Sequence, residues 1–188
     1  MKNGFTLVIA SLLFAICYGM LKIKSAKNEL ADSLVRVLGV AIATSISFIC
    51  YTMAGNDIAA YIFSSFYFAS IDWLLICILN FTEKYTEIFA INKTWKKVLL
   101  SVAMADGISL IMNLLTRHAY GLGRRAFCGD LFYCTDYLGI AFVFHLFFSY
   151  VIVLVIMILF TKKFFAVPDF YKKKYGGHCA FCSRLYAW

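Results

Sequence analysis

The chain has 188 residues, is 63% hydrophobic and 18% aromatic, and contains a single proline and a formal net charge of +8. A soluble domain is about 45–50% apolar, so this composition is that of an integral membrane protein and excludes a sizeable soluble domain. The positive charge falls in clusters between apolar stretches, where it sets membrane orientation and does not mark nucleic-acid binding.

Five apolar stretches are each long enough to cross about 30 Å of hydrocarbon, which needs roughly 20 residues. The first, Phe5–Ile23, follows Lys2. A signal peptide is one reading of it. The stretch is longer than a usual signal core and no A-x-A-like cleavage site follows, whereas Lys22 and Lys24 suit the flank of an anchor. The second and third, Leu34–Ala54 and Ile58–Phe81, are joined by the short Gly55–Asp57 and predict a tight antiparallel helix pair. The polar and aromatic segment Thr82–Lys97 follows, with Tyr85 and Trp95 suited to the headgroup level. The fourth stretch is Val98–Leu115, then comes a loop over Thr116–Tyr137, and the fifth stretch is Leu138–Phe160. Beyond it Pro168 is expected to end or kink the helix.

Lysine and arginine alternate with the spans. Lys22, Lys24, Lys27 and Arg36 cluster around the connection between spans one and two, Lys84, Lys93, Lys96 and Lys97 lie between spans three and four, and Lys162, Lys163, Lys172, Lys173 and Lys174 follow span five. The positive-inside rule then predicts an N-terminus outside and a C-terminus in the cytoplasm. The expected fold is an all-α, polytopic transmembrane helical bundle of about five spans over residues 1–175, multi-pass in the cytoplasmic membrane. A short cytoplasmic tail over 176–188 is expected to be unstructured. The lipid bilayer is the first expected partner. A second copy or another signalling membrane protein is the next, and nucleic acid is not expected.

Two acidic residues lie near the centres of consecutive antiparallel spans, Asp72 in span three and Asp106 in span four. A carboxyl at that depth costs about 2.5–3.5 kcal/mol and normally turns into the bundle toward a partner. Both residues are expected to face the interior. Interhelical glue and an ion- or proton-responsive pair are the two readings; carboxyls close to one another would share a proton. His145, in the outer half of span five, reads as a helix-packing donor or as a ligand. Ser65 and Ala69 have the small-xxx-small spacing of close helix contacts. In the outer loop, Arg124 and Arg125 beside Gly121 and Gly123 form a flexible loop or an external anion site.

Cys17, Cys50 and Cys77 lie within apolar spans and read as packing residues, whereas Cys128 and Cys134 share the outer loop and can pair as a disulfide. His178-Cys179-Ala180-Phe181-Cys182 supplies half a zinc site at best, and Ser183 stands where haem attachment would need histidine. No catalytic motif is present, so no enzyme activity, metal or cofactor is expected.

The run Phe66–Phe81, FYFASIDWLLICILNF, with Thr82-Glu83-Lys84-Tyr85-Thr86 behind it, resembles the third span of a bacterial sensor module. That module is the seven-transmembrane N-terminal region found ahead of histidine kinases and of GGDEF/EAL cyclic-di-GMP signalling proteins. The similarity extends over roughly Asp32–Tyr175 and is strongest at Phe68–Trp73 and at Val167-Pro168-Asp169-Phe170-Tyr171. It implies a membrane-embedded signal-input module, oriented N-out and C-in as the lysines suggest, with Asp72 and Trp73 in its acidic-aromatic fingerprint. It implies no catalytic residues and no particular ligand. Such modules have seven spans and an output domain, and neither GGDEF nor EAL sequence occurs here. The expectation is therefore a truncated copy, cut or frameshifted after about Tyr175. The alternative is a small transporter or channel subunit using Asp72 and Asp106 along its pathway.

Overall fold

The computed structural model describes residues 2–24, 28–88, 92–125 and 131–166. Among them are five helices: α1 (Lys2–Lys24), α2 (Glu29–Thr52), α3 (Asp57–Thr86), α4 (Lys93–Thr116) and α5 (Ile140–Ala166). Two strands, β1 (Tyr120–Arg125) and β2 (Leu131–Leu138), stand between α4 and α5. By length and composition α2, α3, α4 and α5 can each cross a membrane. α1 coincides with the first predicted stretch.

Three helices begin with the same device. Asn28, Asn56 and Asn92 each hold extended backbone, and their side-chain oxygens accept from the N–H of Ala31 (2.6 Å), Ala59 (2.8 Å) and Thr94 (2.6 Å). An asparagine cap satisfies an otherwise orphaned helix donor and contributes about 1 kcal/mol. α3 and α4 end on residues in the left-handed region, Glu87 (φ 61°) and Arg117 (φ 49°). The Arg117 N–H closes the end of α4 on the Asn113 carbonyl at 2.9 Å.

α3 is the central helix. It packs on α2, α4 and α5, while α1 packs on α2 and α4 touches α5 only lightly. The larger apolar core joins Ile76 and Leu79 of α3, Ala103 of α4 and Phe148, Ile152, Ile156 and Leu159 of α5. Ala69 and Gly107 let α3 and α4 approach: a Cβ at Gly107 would lie 3.6 Å from that of Ala69.

The distribution of polarity is the reverse of a soluble protein's. Met104, Ile108, Ile111 and Leu115 of α4 and Phe147, Leu154 and Met157 of α5 are exposed, whereas Ser64, Ser65, Asp72, Asp106, Asn113 and His145 are buried. Exposed apolar side chains along two bilayer-length helices suit lipid.

Two differences from the sequence expectation bear on the site. The segment Thr116–Tyr137, expected as a loop, contains an antiparallel hairpin with Leu122 opposite Cys134 and Gly123 opposite Tyr133, irregular between Tyr120 and Leu122. And α3 continues past Phe81 to Thr86, because Thr82, Glu83 and Thr86 on that last turn are buried in the protein.

A buried acid–histidine cluster between three helices

Each residue of the cluster lies on the inward stripe of its helix. Asp72 shares the face of Ser65, Ile76 and Leu79, at spacings of seven and four. Asp106 shares the face of Ala103, Leu110 and Asn113, and His145 that of Phe142, Phe148 and Ile152. Residues three, four and seven apart stack on one side of a helix, so packing these stripes together brings the three polar side chains to one point.

There they are sealed from solvent, with Asp72 0%, Asp106 4% and His145 2% exposed. The His145 Nδ1 faces both carboxyls. It lies 2.7 Å from Asp106 Oδ2 and 3.3 Å from Asp72 Oδ1. A ring nitrogen carries one hydrogen, so the shorter contact is the hydrogen bond and the longer one is electrostatic. The Ser149 hydroxyl, one turn further along α5, donates to Asp72 Oδ1 at 3.4 Å. Asp72 Oδ2 is buried, and no hydrogen-bond donor among the described residues reaches it. The imidazole is boxed by Phe68 and Phe142, whose ring centroids lie 5.9 and 5.6 Å from its own.

A second polar layer ties the cluster to the hairpin. Asn113, fully buried, accepts the Ala119 N–H at 2.7 Å and the Tyr120 N–H at 3.4 Å and donates to the Tyr120 carbonyl at 3.1 Å. This clamp fixes the start of β1 onto α4. The Tyr120 hydroxyl meets Ser64 Oγ at 2.7 Å and Ser65 Oγ at 3.1 Å, and its ring packs on Phe68 at 5.1 Å. Tyr61 accepts the Leu122 N–H at 3.2 Å and carries Arg117 over its ring at 5.3 Å. Physical contact therefore runs from the hairpin through Tyr120 and Phe68 to His145.

At the other end of α3, the buried Glu83 carboxylate pairs with the half-exposed Lys96 ammonium. Lys163 of α5 donates to the Thr86 carbonyl at 3.4 Å. α5 thus touches the cluster near its N-terminal end and the last turn of α3 near its C-terminal end.

Of the residues singled out in the sequence, Asp72, Asp106 and His145 come together. Trp73 is 43% exposed, turned away from the cluster, as the residue next to an inward Asp72 on a helix must be. Arg124 and Arg125 lie in β1, and their side chains lie outside the described residues, as does that of Cys134 in β2. Cys128 and the tail 176–188 with Cys179 and Cys182 also lie outside the described residues. Asn113, Tyr120 and Ser149 escaped the sequence reading, although Asn113 follows Asp106 by seven residues and Ser149 follows His145 by four. Comparison with protein family models, with curated proteins and with solved structures gives no match.

Proposed function

We propose that the chain is a membrane-embedded signal-input module without enzymatic activity, crossing the bacterial cytoplasmic membrane five times with its N-terminus outside. The observation that carries this reading is the position of the Asp72–Asp106–His145 cluster. It joins three helices at one point and is in packed contact with the hairpin on one side and, through α5, with the opposite membrane face. A change in what the cluster holds alters how α5 seats on α3, and α5 leads to the side on which an intact relative carries its output domain. The resemblance of Phe66–Phe81 and of Val167–Tyr171 to the sensor region ahead of histidine kinases and cyclic-di-GMP enzymes supports the same reading. So does the lysine alternation, which agrees with the N-out, C-in arrangement of that sensor region.

The meeting of Asp72 with Asp106 also favours a second reading, a small transporter or channel subunit. Two measurements separate them. Spin labels at Asp32 of α2 and Lys162 of α5, both exposed, report the distance across the cytoplasmic ends in a background without native cysteines. An input module predicts that Asp106→Asn shifts this distance by a few ångströms while reconstituted vesicles show no ion flux above empty ones. Identical distance distributions in the wild type and in all cluster variants would refute the input reading, and flux abolished by Asp72→Asn would establish transport. Orientation is read by cysteine labelling from outside, which should modify a reporter at Gly121 and miss one at Lys93.

A further inference from the structure

We infer that the cluster is a binding site for a divalent first-row transition-metal ion, with one oxygen each from Asp72 and Asp106 and Nδ1 of His145 as ligands. This deepens the signal-input reading, on which it rests for what the ion does, by naming the chemical class of the signal. No metal-ligand spacing marks the site along the chain, because the three residues lie on three different helices.

The geometry is that of a ligand set. One donor atom from each residue can be chosen so that all lie within 4.8 Å of one another. His145 Nδ1 lies 2.7 Å from Asp106 Oδ2 and 3.3 Å from Asp72 Oδ1, both a little closer than an ion would hold them. Metal–ligand bonds of roughly 2.0–2.2 Å in a tetrahedral site place neighbouring donors about 3.4 Å apart. Side-chain rotations that widen the His145–Asp106 separation of 2.7 Å toward this spacing open the set to that size.

Asp72 supplies the independent observation. Its side chain is 0% exposed, and among the described residues its Oδ2 has no hydrogen-bond donor. A cluster that served only to join helices would need a donor for every sealed acceptor, because an unmade bond at a buried carboxylate is costly. Asp106, across the cluster, is an acceptor when ionised, and Ser149 reaches only the other oxygen, at 3.4 Å. With both carboxyls ionised, no donor among the described residues reaches Oδ2, and a cation held by the Asp72 carboxylate supplies the charge that no protein donor offers there.

Charge leads to the same conclusion. Two carboxylates and one neutral imidazole carry a charge of −2, which a dication cancels inside a bundle where uncompensated charge is expensive. The donor chemistry narrows the ion. Mg²⁺ and Ca²⁺ want six or more oxygens, and three protein ligands with one nitrogen fall short of that. One imidazole and two carboxylates suit Zn²⁺, Fe²⁺, Co²⁺ or Mn²⁺, with a fourth position open to water or to the Ser149 hydroxyl. Phe68 and Phe142, against the imidazole, hold the ring that presents Nδ1.

The test uses the full chain in lipid nanodiscs, with Cys179→Ser and Cys182→Ser to remove the thiols of the tail, and Co²⁺ as the probe. One Co²⁺ should bind per chain, with the visible d–d absorption of a low-coordinate site. Asp72→Asn, Asp106→Asn and His145→Gln should each weaken binding by about a hundredfold, while far-UV circular dichroism and gel filtration show the fold retained. If those variants do not fold, X-ray absorption on the Co²⁺-loaded chain carrying the two tail substitutions decides alone. It should show one imidazole nitrogen among oxygen ligands at roughly 2.0–2.2 Å. No binding above empty nanodiscs, binding undiminished in the folded triple variant, or a ligand shell without imidazole would each overturn the site. The spin-label distances separate the two failures. A cluster that moves α5 but binds no Co²⁺ refutes the metal and keeps the input module, whereas Co²⁺ bound with α5 unmoved refutes the input module and keeps a static metal site.

Discussion

His145→Ala should be among the most damaging single changes in the bundle, and the structure says which replacement repairs it. The imidazole donates from Nδ1 to Asp106 at 2.7 Å and stands 3.3 Å from Asp72, with all three groups sealed. An ordinary interhelical hydrogen bond in a membrane averages only about 0.6 kcal/mol. A bond to a charged group is worth about 1.5–3 kcal/mol, and removing one partner of a buried ionic set costs about 3–5 kcal/mol because the others are left without compensation. The expected loss is therefore about 3–4 kcal/mol. Asparagine carries its amide nitrogen the same number of bonds from Cα as Nδ1, whereas glutamine carries it at the reach of Nε2. His145→Asn should recover roughly half of the loss and His145→Gln little of it, and a double-mutant cycle with Asp106→Asn should return a coupling of about 1.5–3 kcal/mol. Unfolding in mixed micelles, followed by circular dichroism as denaturing detergent is titrated in, measures all of these. A cost for His145→Ala near 0.6 kcal/mol, or glutamine rescuing better than asparagine, would refute the reasoning.

Asn113→Ala should release the hairpin from α4, leaving the buried Ala119 and Tyr120 amides without their acceptor at a cost of about 2–4 kcal/mol; hydrogen exchange over 117–125 should rise sharply, and unchanged protection would count against the clamp. Tyr120→Phe should cost only about 1 kcal/mol in the same unfolding assay, because Ser64 keeps its bond to the Tyr61 carbonyl at 3.0 Å when the Tyr120 hydroxyl is lost. Gly139→Ala should abolish folded expression, since a Cβ there would lie 1.8 Å from the His118 carbonyl oxygen, whereas Gly39→Ala, with nothing within 4 Å, should be neutral or stabilise α2 by about 0.5–1 kcal/mol; comparable yields of the two variants would contradict this. Lys96→Met should destabilise the end of α3 by about 1–3 kcal/mol by removing the ammonium that pairs with the buried Glu83 carboxylate, and adding Glu83→Gln should restore most of it, as thermal unfolding of the two variants will show.

The helices were legible in the sequence because an apolar run of bilayer length has few alternatives, and α1 to α5 all overlie the predicted stretches. Asp72 and Asp106 were legible as inward residues for the same reason, since a carboxyl at mid-span has nowhere else to go. The partnership of His145 with them was not. Spacing along one helix gives the inward face, but which faces meet, and at what height, is decided by packing between α3, α4 and α5. The hairpin was hidden by its own composition: β1 reads Tyr-Gly-Leu-Gly-Arg-Arg, with two glycines and no clean alternation, and it is held by Asn113 and Tyr61 on neighbouring helices as well as by its own strand pairing. The last turn of α3 was missed because Thr82, Glu83 and Thr86 look like solvent-facing residues until the protein around them is seen.

The order of the helices along the chain has a consequence for biosynthesis. α3 and α4 leave the ribosome before α5, so each delivers its carboxyl to the membrane while the histidine that will hold it has not yet been translated. Each burden is about 2.5–3.5 kcal/mol, small enough for the apolar remainder of either helix to outweigh, and so both can integrate singly. They then wait in lipid as an incomplete assembly. α5, the most apolar of the four, enters last, and the arrival of His145 closes the bundle. A ribosome stalled before codon 145 would leave an inserted protein without a finished interior, a natural substrate for membrane quality control.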